Sequence, residues 1–302
     1  MELVKRIDIH CHTIAEKGIT RPNGKTFATP EELMAIHDRL GVERGVLLPI
    51  LSLTGGYDNN TMREIIAIAC KYPDRYSWFC NVDPTLGTNS TNTDFDRILA
   101  YYKELGAVGV GELTFNLPMD DPRVEALFAA CERQGMPVII HIGDLGGDYG
   151  LVDSLGLPKL EKALQKFPKL VILGHSQKFW AEISADVTEE IRKGYPQGPV
   201  VPGGRVVELM RKYPNLHADI SAGSGNNAIR RDEAFGLAFL EEFQDRIYYG
   251  MDLCAPDQET TAYAKLGAWL DSCVTEGRLS YEAYEKICRG NALRLLKGEL
   301  GL

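Results

Sequence analysis

Six polar residues of this 302-residue chain lie at or just after the ends of short apolar segments. The segments span 4–9, 107–111, 136–140, 170–174 and 247–250, and the polar residues are His10, His12, Glu112, His141, His175 and Asp252. Strands that end in such residues bring them to one point only if the strands are parallel and surround a common axis. Because an α/β barrel carries its active site at the carboxyl ends of its strands, this pattern predicts a barrel with a polar centre at that end.

The rest of the chain favours the same architecture. Eight β-like segments are predicted at 4–10, 44–49, 77–81, 107–112, 136–141, 169–174, 216–220 and 247–251, with helical periodicity between them. Alternating strands and helices imply parallel strands joined by crossover helices. Eight such units favour closure into a single (β/α)8 barrel of the TIM type over an open sheet.

No repeat, low-complexity tract or linker-like stretch divides the chain, so we interpret residues 1–302 as one domain. The segment at about 257–297 is expected to form two C-terminal helices that complete the outer ring of the barrel. Three long connections at 13–29, 142–157 and 176–204 follow the first, fifth and sixth strands. Loops of this length are usually binding loops or lids, and all three would lie on the active-site face.

Proline and acidic residues mark where several helices begin. The segment 29–32, Thr-Pro-Glu-Glu, combines a capping residue, a proline at the first helical position and acids in the first turn. Asp-Pro at 121–122 gives a similar signal, and Pro158 opens a further helix. A helical stretch at 237–243 precedes the last strand.

The composition limits the partners and the compartment. Net charge is −9 and the isoelectric point is about 5.3, which counts against nucleic acid because such binding relies on Lys and Arg neutralising phosphates. No apolar stretch approaches the ~20 residues that span a membrane, and the first residues lack the apolar core of a signal peptide. Seven scattered cysteines without a CxxC pair are typical of free thiols in a reducing cytoplasm. We therefore expect a cytoplasmic protein with a small-molecule substrate and no nucleic-acid or membrane partner, and the sequence leaves a homodimer open.

His10 and His12 are two residues apart on the first predicted strand. Side chains alternate along a strand, so both imidazoles lie on one face and Cys11 on the other. Neutral imidazole is a good ligand for Zn²⁺ and related ions, so the pair forms half of a metal site. The histidines that end later strands strengthen an interpretation that His-x-His alone supports weakly.

Six segments, in one order along nearly the whole chain, resemble the amidohydrolase superfamily. They are Ile-Asp-Ile-His-Cys-His at 7–12, Val-Gly-Val-Gly-Glu-Leu at 108–113, Pro-Val-Ile-Ile-His at 137–141, Leu-Val-Ile-Leu-Gly-His at 170–175, Tyr-Tyr-Gly-Met-Asp-Leu at 248–253 and Ile-Cys-Arg-Gly-Asn-Ala-Leu-Arg-Leu-Leu at 287–296. Within the superfamily, the chain looks like the amidohydrolase-related branch that includes aminocarboxymuconate-semialdehyde decarboxylase. The resemblance implies a metal-dependent enzyme.

The same resemblance implies roles for individual residues. It assigns metal ligation to His10, His12 and His141. It implies that His175 either binds a second metal or polarises the substrate. It also implies that Asp252 touches the metal and takes a proton from bound water.

Three further positions complete this comparison. Glu112 stands where some members carry a bridging glutamate or a carboxylated lysine, and many single-metal members place no ligand there, so the sequence leaves one metal or two open. Asn291 and Arg294 match a C-terminal helix motif that is structural in the family.

The chemistry of the residue types agrees with these roles. Three histidines and an aspartate leave a divalent ion with room for water, whose pKa the ion can lower to about 7. Asp252 can act as general base and then as acid, and His175 can stabilise a developing oxyanion. Zinc is the favoured ion, with manganese or another transition metal as alternatives.

Several loop residues are candidates for substrate binding, namely Arg21, Phe115, Asn116, Lys178, Trp180 and Arg230. An arginine suits a substrate carboxylate best, because its planar fork donates two parallel hydrogen bonds. Asp219 and Ser221 lie near the end of the seventh strand, so one of them could reach the pocket. We expect surface or structural roles for His37 and His217.

Four functions are compatible with this pattern. The favoured one is hydrolysis of an amide, ester or lactone by metal-activated water. Non-oxidative decarboxylation of a small carboxylic acid is the first alternative, because the resemblance includes decarboxylases that use the same ligands. A TatD-like metal-dependent nuclease is the second, and the acidic net charge counts against it. A non-catalytic barrel is the third, and the cost of burying imidazoles and carboxylates together without a metal counts against it.

Overall fold

The computed structural model of the protein describes residues 2–21, 23–51, 58–147 and 149–300. Eight strands form the barrel wall: β1 (Arg6–Cys11), β2 (Val42–Leu47), β3 (Tyr76–Trp78), β4 (Val110–Leu113), β5 (Val138–Gly143), β7 (Ile172–His175), β8 (Leu216–Asp219) and β9 (Ile247–Tyr248). A ninth short strand, β6 (Leu151–Val152), pairs with β5 within the long connection after it. Each of the eight predicted strands overlaps an observed one, whereas β6 was not predicted.

The wall strands pair in parallel in two groups, β1-β2-β3 and β4-β5-β7-β8-β9. Backbone hydrogen bonds join the groups at both seams. Between β3 and β4, the amide of Cys80 donates to Gly109 O at 2.9 Å. Between β9 and β1, Ile9 N donates to Tyr249 O at 3.2 Å, and Asp252 N donates to His10 O at 2.9 Å. The predicted α/β fold of the TIM-barrel type is confirmed.

Helices follow the wall strands: α1 (Pro30–Arg39), α2 (Met62–Lys71), α3 (Phe95–Glu104), α4 (Pro122–Gln134), α5 (Pro158–Lys166), α6 (Gln177–Ala181), α7 (Arg205–Lys212), α8 (Ala222–Arg230), α9 (Glu233–Glu242), α10 (Ala262–Thr275), α11 (Tyr281–Glu285) and α12 (Asn291–Lys297). One π-helical turn, Lys286–Gly290, joins α11 to α12 in a continuous run. Short 3₁₀ turns lie at Ile191–Lys193 and Pro256–Thr260. Within the described part of the chain, no helix is both long and apolar enough to cross a membrane.

Two of the predicted helix starts rest on side-chain caps, whereas the helix that begins at Pro158 has none. Thr29 Oγ1 accepts a hydrogen bond from Glu32 N, and the Glu32 carboxylate accepts one from Thr29 N, which is a capping box. Asp121 caps α4 in a similar way, with Pro122 at its first position. These side chains satisfy amide groups that have no partner inside the helix.

The barrel interior holds its own hydrophobic cluster. Strand residues supply most of it, and they are Ile7, Ile9, Val46, Leu48, Phe79, Ile139, Val171, Leu173 and Tyr248. Ala292 and Leu295 of α12 belong to the same cluster. The last helix therefore packs against the strand residues of this cluster.

The C-terminal motif ties α12 to the wall. Asn291 Nδ2 donates to Gln244 O at 2.6 Å and to Ile247 O at 2.7 Å, just where β9 begins. Arg294 Nη2 donates to Asn291 Oδ1 at 2.7 Å and to Asp245 O at 2.8 Å. Both contacts are structural, in agreement with what the resemblance implied.

The second and third long connections are fastened to each other. Glu182 accepts a hydrogen bond from Gly156 N at 2.8 Å, and its other oxygen lies 2.9 Å from Arg192 Nη2. Arg192 also donates to Asp153 O at 3.1 Å. Both members of the ion pair are buried, so these loops form a fixed wall on one side of the active-site face.

Candidate metal centre

β1 delivers two imidazoles to the carboxyl end of the barrel. The pairing of β1 with β2 shifts register between Asp8 and Cys11. His10 and His12 then lie with their Nε2 atoms 3.1 Å apart, whereas Cys11 packs in the outer hydrophobic core. The common face predicted for the two histidines is therefore the observed one.

Two carboxylates from distant strands face this pair. Asp252 Oδ1 lies 3.6 Å from His10 Nε2 and 3.3 Å from His12 Nε2. Glu112 Oε2 lies 3.6 Å and 3.5 Å from the same two atoms. Two imidazole nitrogens and two carboxylate oxygens thus surround one small volume.

The other oxygens of these carboxylates face two more histidines. Glu112 Oε1 accepts a hydrogen bond from His141 Nδ1 at 2.6 Å and lies 3.7 Å from His175 Nε2. Asp252 Oδ2 lies 3.9 Å from His175 Nε2. The structure therefore brings all six predicted residues together in one cluster, which we call the His–carboxylate cluster (His10, His12, Glu112, His141, His175 and Asp252).

Small residues let the strands approach closely enough for this. Gly111 has a φ of +127°, and a Cβ there would lie 2.5 Å from Ile139 O. A Cβ on Gly250 would lie 2.9 Å from Ser221 Cβ and 3.2 Å from His10 Cβ. Glycine is required at both positions, one directly before Glu112 and one beside His10.

Asp252 itself is held in an unusual backbone conformation. Its φ is +55°, in the left-handed region, which costs a non-glycine residue of order 1–3 kcal/mol. Asp252 N donates to His10 O, and the preceding amide of Met251 donates to Asp8 Oδ1 at 2.9 Å. Since Asp8 Oδ1 also accepts from His10 N at 3.0 Å, one buried carboxylate fixes both sides of the seam.

Asp219, which the sequence analysis named with Ser221 as a residue that could reach the pocket, has an orienting role that the sequence did not predict. It ends β8, is fully buried, and accepts from His10 Nδ1 at 2.8 Å and from His175 Nδ1 at 2.9 Å. His12 Nδ1 similarly donates to Leu48 O at 3.1 Å. With Nδ1 of each ring held by these acceptors, Nε2 faces the His–carboxylate cluster and is the nitrogen that would bind a metal. The signal available in the sequence was only its place near a strand end.

Neighbouring groups fix Asp219 in turn. Ser221 Oγ donates to its Oδ1 at 2.8 Å, and Trp180 Nε1 donates to its backbone oxygen at 2.9 Å. Trp180 was a predicted substrate contact, but it is buried and supports the residue that orients two histidines.

The electrostatics of the cluster favour a bound cation. Burial alone raises the pKa of Glu112, yet the His141 charge and hydrogen bonds from three histidines bring that pKa well below its usual value. Burial and the histidines oppose each other in the same way at Asp252, whose pKa is also lowered. Conversely, burial lowers the pKa of His12, but hydrogen bonds to Asp252 and Glu112 raise it to about 9. The carboxylates therefore stay ionised against protonated imidazoles, and a bound cation would replace the protons on those rings.

The donor set fits a divalent transition metal. This cluster contains three groups of potential metal ligands, and within each group the ligand atoms lie within 4.8 Å of one another. The groups are His10, His12 and Glu112; His10, His175 and Asp252; and Glu112, His141 and His175. Imidazole nitrogen and carboxylate oxygen suit zinc, manganese and related ions.

Other predicted substrate contacts support the loops around the cluster. Asn116 Nδ2 donates to Asp144 O at 2.7 Å, and its Oδ1 accepts from Gly146 N at 2.8 Å. The buried Lys178 Nζ lies 2.5 Å from the Asp144 carboxylate. These side chains therefore hold the loop after β5.

The last three candidates have different surroundings. Arg21 stacks on the Phe27 ring at 4.6 Å, and that ring lies 6.4 Å from His12, so Arg21 is close to the cluster. Phe115 is buried in the outer core. Arg230 packs on the Trp269 ring at 5.7 Å and donates to Asn226.

Two residues beside the cluster were not predicted. Tyr149 belongs to the long, glycine-rich connection after β5. Its ring packs at a tilt against the His141 ring, with 4.4 Å between the ring centroids. Cys254 Sγ lies 3.6 Å from Asp252 Oδ1.

The two histidines outside the cluster are both buried. His37 contacts Asp8 at 3.3 Å, and His217 contacts the Tyr248 hydroxyl at 2.9 Å.

Solved structures with this fold include metal-containing enzymes. An amidohydrolase from Burkholderia multivorans with bound zinc has a TM-score of 0.64 and 14% identity, over 97% of this chain and 99% of that one. A dihydroxybenzoic acid decarboxylase from Polaromonas with bound manganese and the inhibitor 2-nitroresorcinol has a TM-score of 0.59 and 17% identity, over 98% and 97%. A probable 2-pyrone-4,6-dicarboxylic acid hydrolase from Acinetobacter baumannii with citric acid bound has a TM-score of 0.59 and 15% identity, over 97% and 100%.

At these identities the likenesses show the fold alone. No curated protein sequence matches the chain significantly. The amidohydrolase family model, in contrast, matches residues 7–298 and so includes every member of the His–carboxylate cluster. With nearly the whole chain matched, the protein belongs to the amidohydrolase family.

Proposed function

We propose that this protein is a metal-dependent hydrolase that opens an amide, ester or lactone bond in a small carbonyl-containing substrate. The observation that carries the proposal is the orientation of the histidines. His10, His12 and His175 each direct Nε2 at Asp252 and Glu112, because an acceptor holds each Nδ1, so Nε2 is the atom that can bind a metal once it has lost its proton. Histidines that bind a metal through one ring nitrogen typically donate the other ring N–H to an acceptor in this way.

His10, His12 and Asp252 would hold a catalytic ion, with zinc as the favoured metal. Glu112, His141 and His175 provide a second donor group, and Glu112 also lies within reach of His10 and His12. A bound divalent ion supplies Lewis acidity, which polarises a carbonyl and lowers the pKa of water to about 7.

In this proposal Asp252 is the residue that moves protons. Its side chain is 18% exposed, compared with 7% for Glu112 and 2% for His175, so substrate and water reach its carboxylate most easily. Its lowered pKa keeps it ionised near neutral pH, and it can therefore accept a proton at Oδ2 and return it to a leaving group.

In this proposal His175 stabilises negative charge. Its Nδ1 is bonded to the Asp219 carboxylate, so its Nε2 is directed at Glu112 and Asp252. An N–H at Nε2 would donate a hydrogen bond to an oxyanion that develops between His175 and Asp252.

Decarboxylation is the second candidate, and Arg21 is the observation that favours it. Arg21 lies close to His12 through Phe27, and its Nε is buried without a hydrogen-bond partner among the described residues. A guanidinium in this state suits a substrate carboxylate. The Polaromonas enzyme of the same fold is a decarboxylase.

Product analysis distinguishes the two reactions. Zinc-loaded and manganese-loaded protein should be incubated with lactones, esters, amides, small aromatic carboxylic acids and, separately, DNA in ¹⁸O-water. Hydrolysis places ¹⁸O in the carboxylic acid product, whereas decarboxylation releases carbon dioxide from the substrate. Carbon dioxide release without label in an acyl product would replace the proposal with its alternative, and cleavage of DNA alone would replace it with a nuclease.

A further inference from the structure

One thiol lies directly beside the proposed metal ligands. Cys254 follows Asp252 by two residues and is partly exposed, and its Sγ lies 3.6 Å from Asp252 Oδ1. His12 Nε2, an Asp252 carboxylate oxygen and Cys254 Sγ all lie within 4.8 Å of one another. The thiol therefore belongs to the same set of potential ligand atoms as His12 and Asp252.

The distances around Asp252 Oδ1 match those of ligands that share an ion. Zinc bonds are about 2.0 Å to oxygen or nitrogen and about 2.3 Å to sulfur, so tetrahedral angles separate oxygen from nitrogen by about 3.3 Å and oxygen from sulfur by about 3.5 Å. The observed separations are 3.3 Å to His12 Nε2 and 3.6 Å to Cys254 Sγ. Both separations from Oδ1 are thus close to those expected for ligands of one ion, and the His12 and Cys254 ligand atoms lie within 4.8 Å of each other.

The backbone that carries the thiol is held on both sides. Cys254 N donates to Gln258 Oε1 at 2.6 Å, and Ala255 N donates to the same oxygen at 2.8 Å. Cys254 O accepts from Ala28 N at 3.1 Å. These bonds fix the turn after Asp252, so the Sγ position is set by the main chain as much as by the side chain.

We propose that Cys254 is a metal ligand that joins His10, His12 and Asp252 and makes the site select soft ions. Metal binding breaks the S–H bond, forms a metal–sulfur bond and releases the proton to solvent. Thiolate favours zinc, cadmium and cobalt over manganese and magnesium. The inference rests on the proposed function, since it requires an ion at this centre.

The other cysteines provide a matched control. Cys70 lies on α2 and is exposed, away from the cluster, whereas Cys11 is buried in the outer core. Cys70→Ser removes an accessible thiol without touching the centre, so it reports adventitious binding of metal to surface sulfur.

Cobalt substitution tests the inference by spectroscopy, without a substrate. We expect wild-type protein with one equivalent of Co²⁺ to show intense near-ultraviolet absorption from a cobalt–thiolate bond. Cys70→Ser should keep this band, and Cys254→Ser should lose it while still binding cobalt through the histidines. Zinc affinity relative to manganese should fall at least about tenfold in Cys254→Ser, since even the loss of an outer-shell partner costs that much.

X-ray absorption at the zinc edge of the wild-type protein provides a second measurement that needs no variant. A zinc–sulfur distance near 2.3 Å supports the inference. Bound cobalt or zinc without a sulfur signature overturns it and leaves the histidine site intact. Failure to bind either metal overturns both this inference and the proposed function.

Discussion

The Asp219 carboxylate contacts His10 through one oxygen, with Oδ2 lying 2.8 Å from Nδ1 of the imidazole. Its other oxygen lies 2.9 Å from His175 Nδ1. One side chain at the end of β8 therefore sets the tautomer of histidines that come from β1 and β7. A shared acceptor of this kind couples the two rings, so a change at Asp219 reaches both.

We predict that Asp219→Asn weakens zinc binding by about 10- to 100-fold, as the loss of an outer-shell partner typically does. The amide keeps the shape but loses the charge that holds both Nδ1–H groups. Zinc titration against a competing chelator measures the effect. Asp120→Asn is the control, because Asp120 pairs only loosely with Lys159 and Lys162. Unchanged zinc affinity in Asp219→Asn would refute the orienting role.

We predict that the double change His10→Ala and His12→Ala removes bound metal. These two nitrogens lie 3.1 Å apart at the centre, and Asp252 alone cannot replace them. Elemental analysis after dialysis should show about one to two equivalents in the wild type and close to none in the variant. His217→Gln is the control because His217 contacts Tyr248. Metal content that is equal in the variant and the wild type would show that the assignment is wrong.

Glu112 is expected to govern how many ions bind. Its two oxygens face different histidine pairs, His10 with His12 and His141 with His175. We expect isothermal titration with zinc to show a tight step and a weaker second step, and Glu112→Gln to lose the second. Two ions bridged by this carboxylate would lie about 3.5–4 Å apart. A saturated crystal structure with one ion and Glu112 turned away would exclude the bridging role.

Asp252→Asn should separate proton transfer from metal binding. The amide keeps an oxygen ligand but cannot accept a proton, so we expect turnover to fall at least about 10²- to 10⁴-fold. Metal content should fall much less than in the His10 and His12 double variant. Steady-state kinetics and elemental analysis on the same preparations make the comparison. Near wild-type turnover would transfer the role of base to Glu112 or His175.

Zinc binding should release protons at pH 7.5. Hydrogen bonds to Asp252 and Glu112 outweigh burial and raise the pKa of His12 to about 9, so metal-free protein carries this imidazole protonated. Ligation needs the neutral ring. The apparent zinc affinity should therefore fall about tenfold for each unit by which the pH is lowered below 9, for each displaced proton. Calorimetry in buffers of different ionisation enthalpy counts these protons. An enthalpy that is independent of the buffer would contradict the prediction.

The same pKa predicts the opposite trend for the stability of the metal-free protein. A folded pKa of about 9 against an ordinary value of 6.5 stabilises the fold fully below pH 6.5. This contribution is lost as pH rises through 9, since the folded state then gives up the extra proton. We expect the Tm of metal-free protein to fall between pH 6.5 and pH 9, by differential scanning calorimetry.

Sequence periodicity predicted the parts of this structure that depend on local pattern. His10 and His12 share a face because strand side chains alternate, and α1 begins where Thr29 and Pro30 place it. The convergence of Glu112 and Asp252 on that pair followed from the single rule that polar residues end parallel strands.

What sequence did not predict depends on distant partners. Asp219 orients histidines because of where β8 lies relative to β1 and β7, a relation that no local pattern contains. Lys178 and Asn116 are polar loop residues, but their partners in the loop after β5 make them supports of that loop. Their roles could be assigned only from the packed structure.

The seam between the first and last strands has a consequence for synthesis of the chain. Asp8 on β1 accepts a hydrogen bond from Met251, which lies 243 residues later, and His10 accepts one from Asp252. A nascent polypeptide that has emerged only as far as β8 contains all four imidazoles of the His–carboxylate cluster and still lacks the turn that seats Asp252. The seam can close only late in synthesis, because the final fifth of the message encodes the piece that joins both ends of the wall.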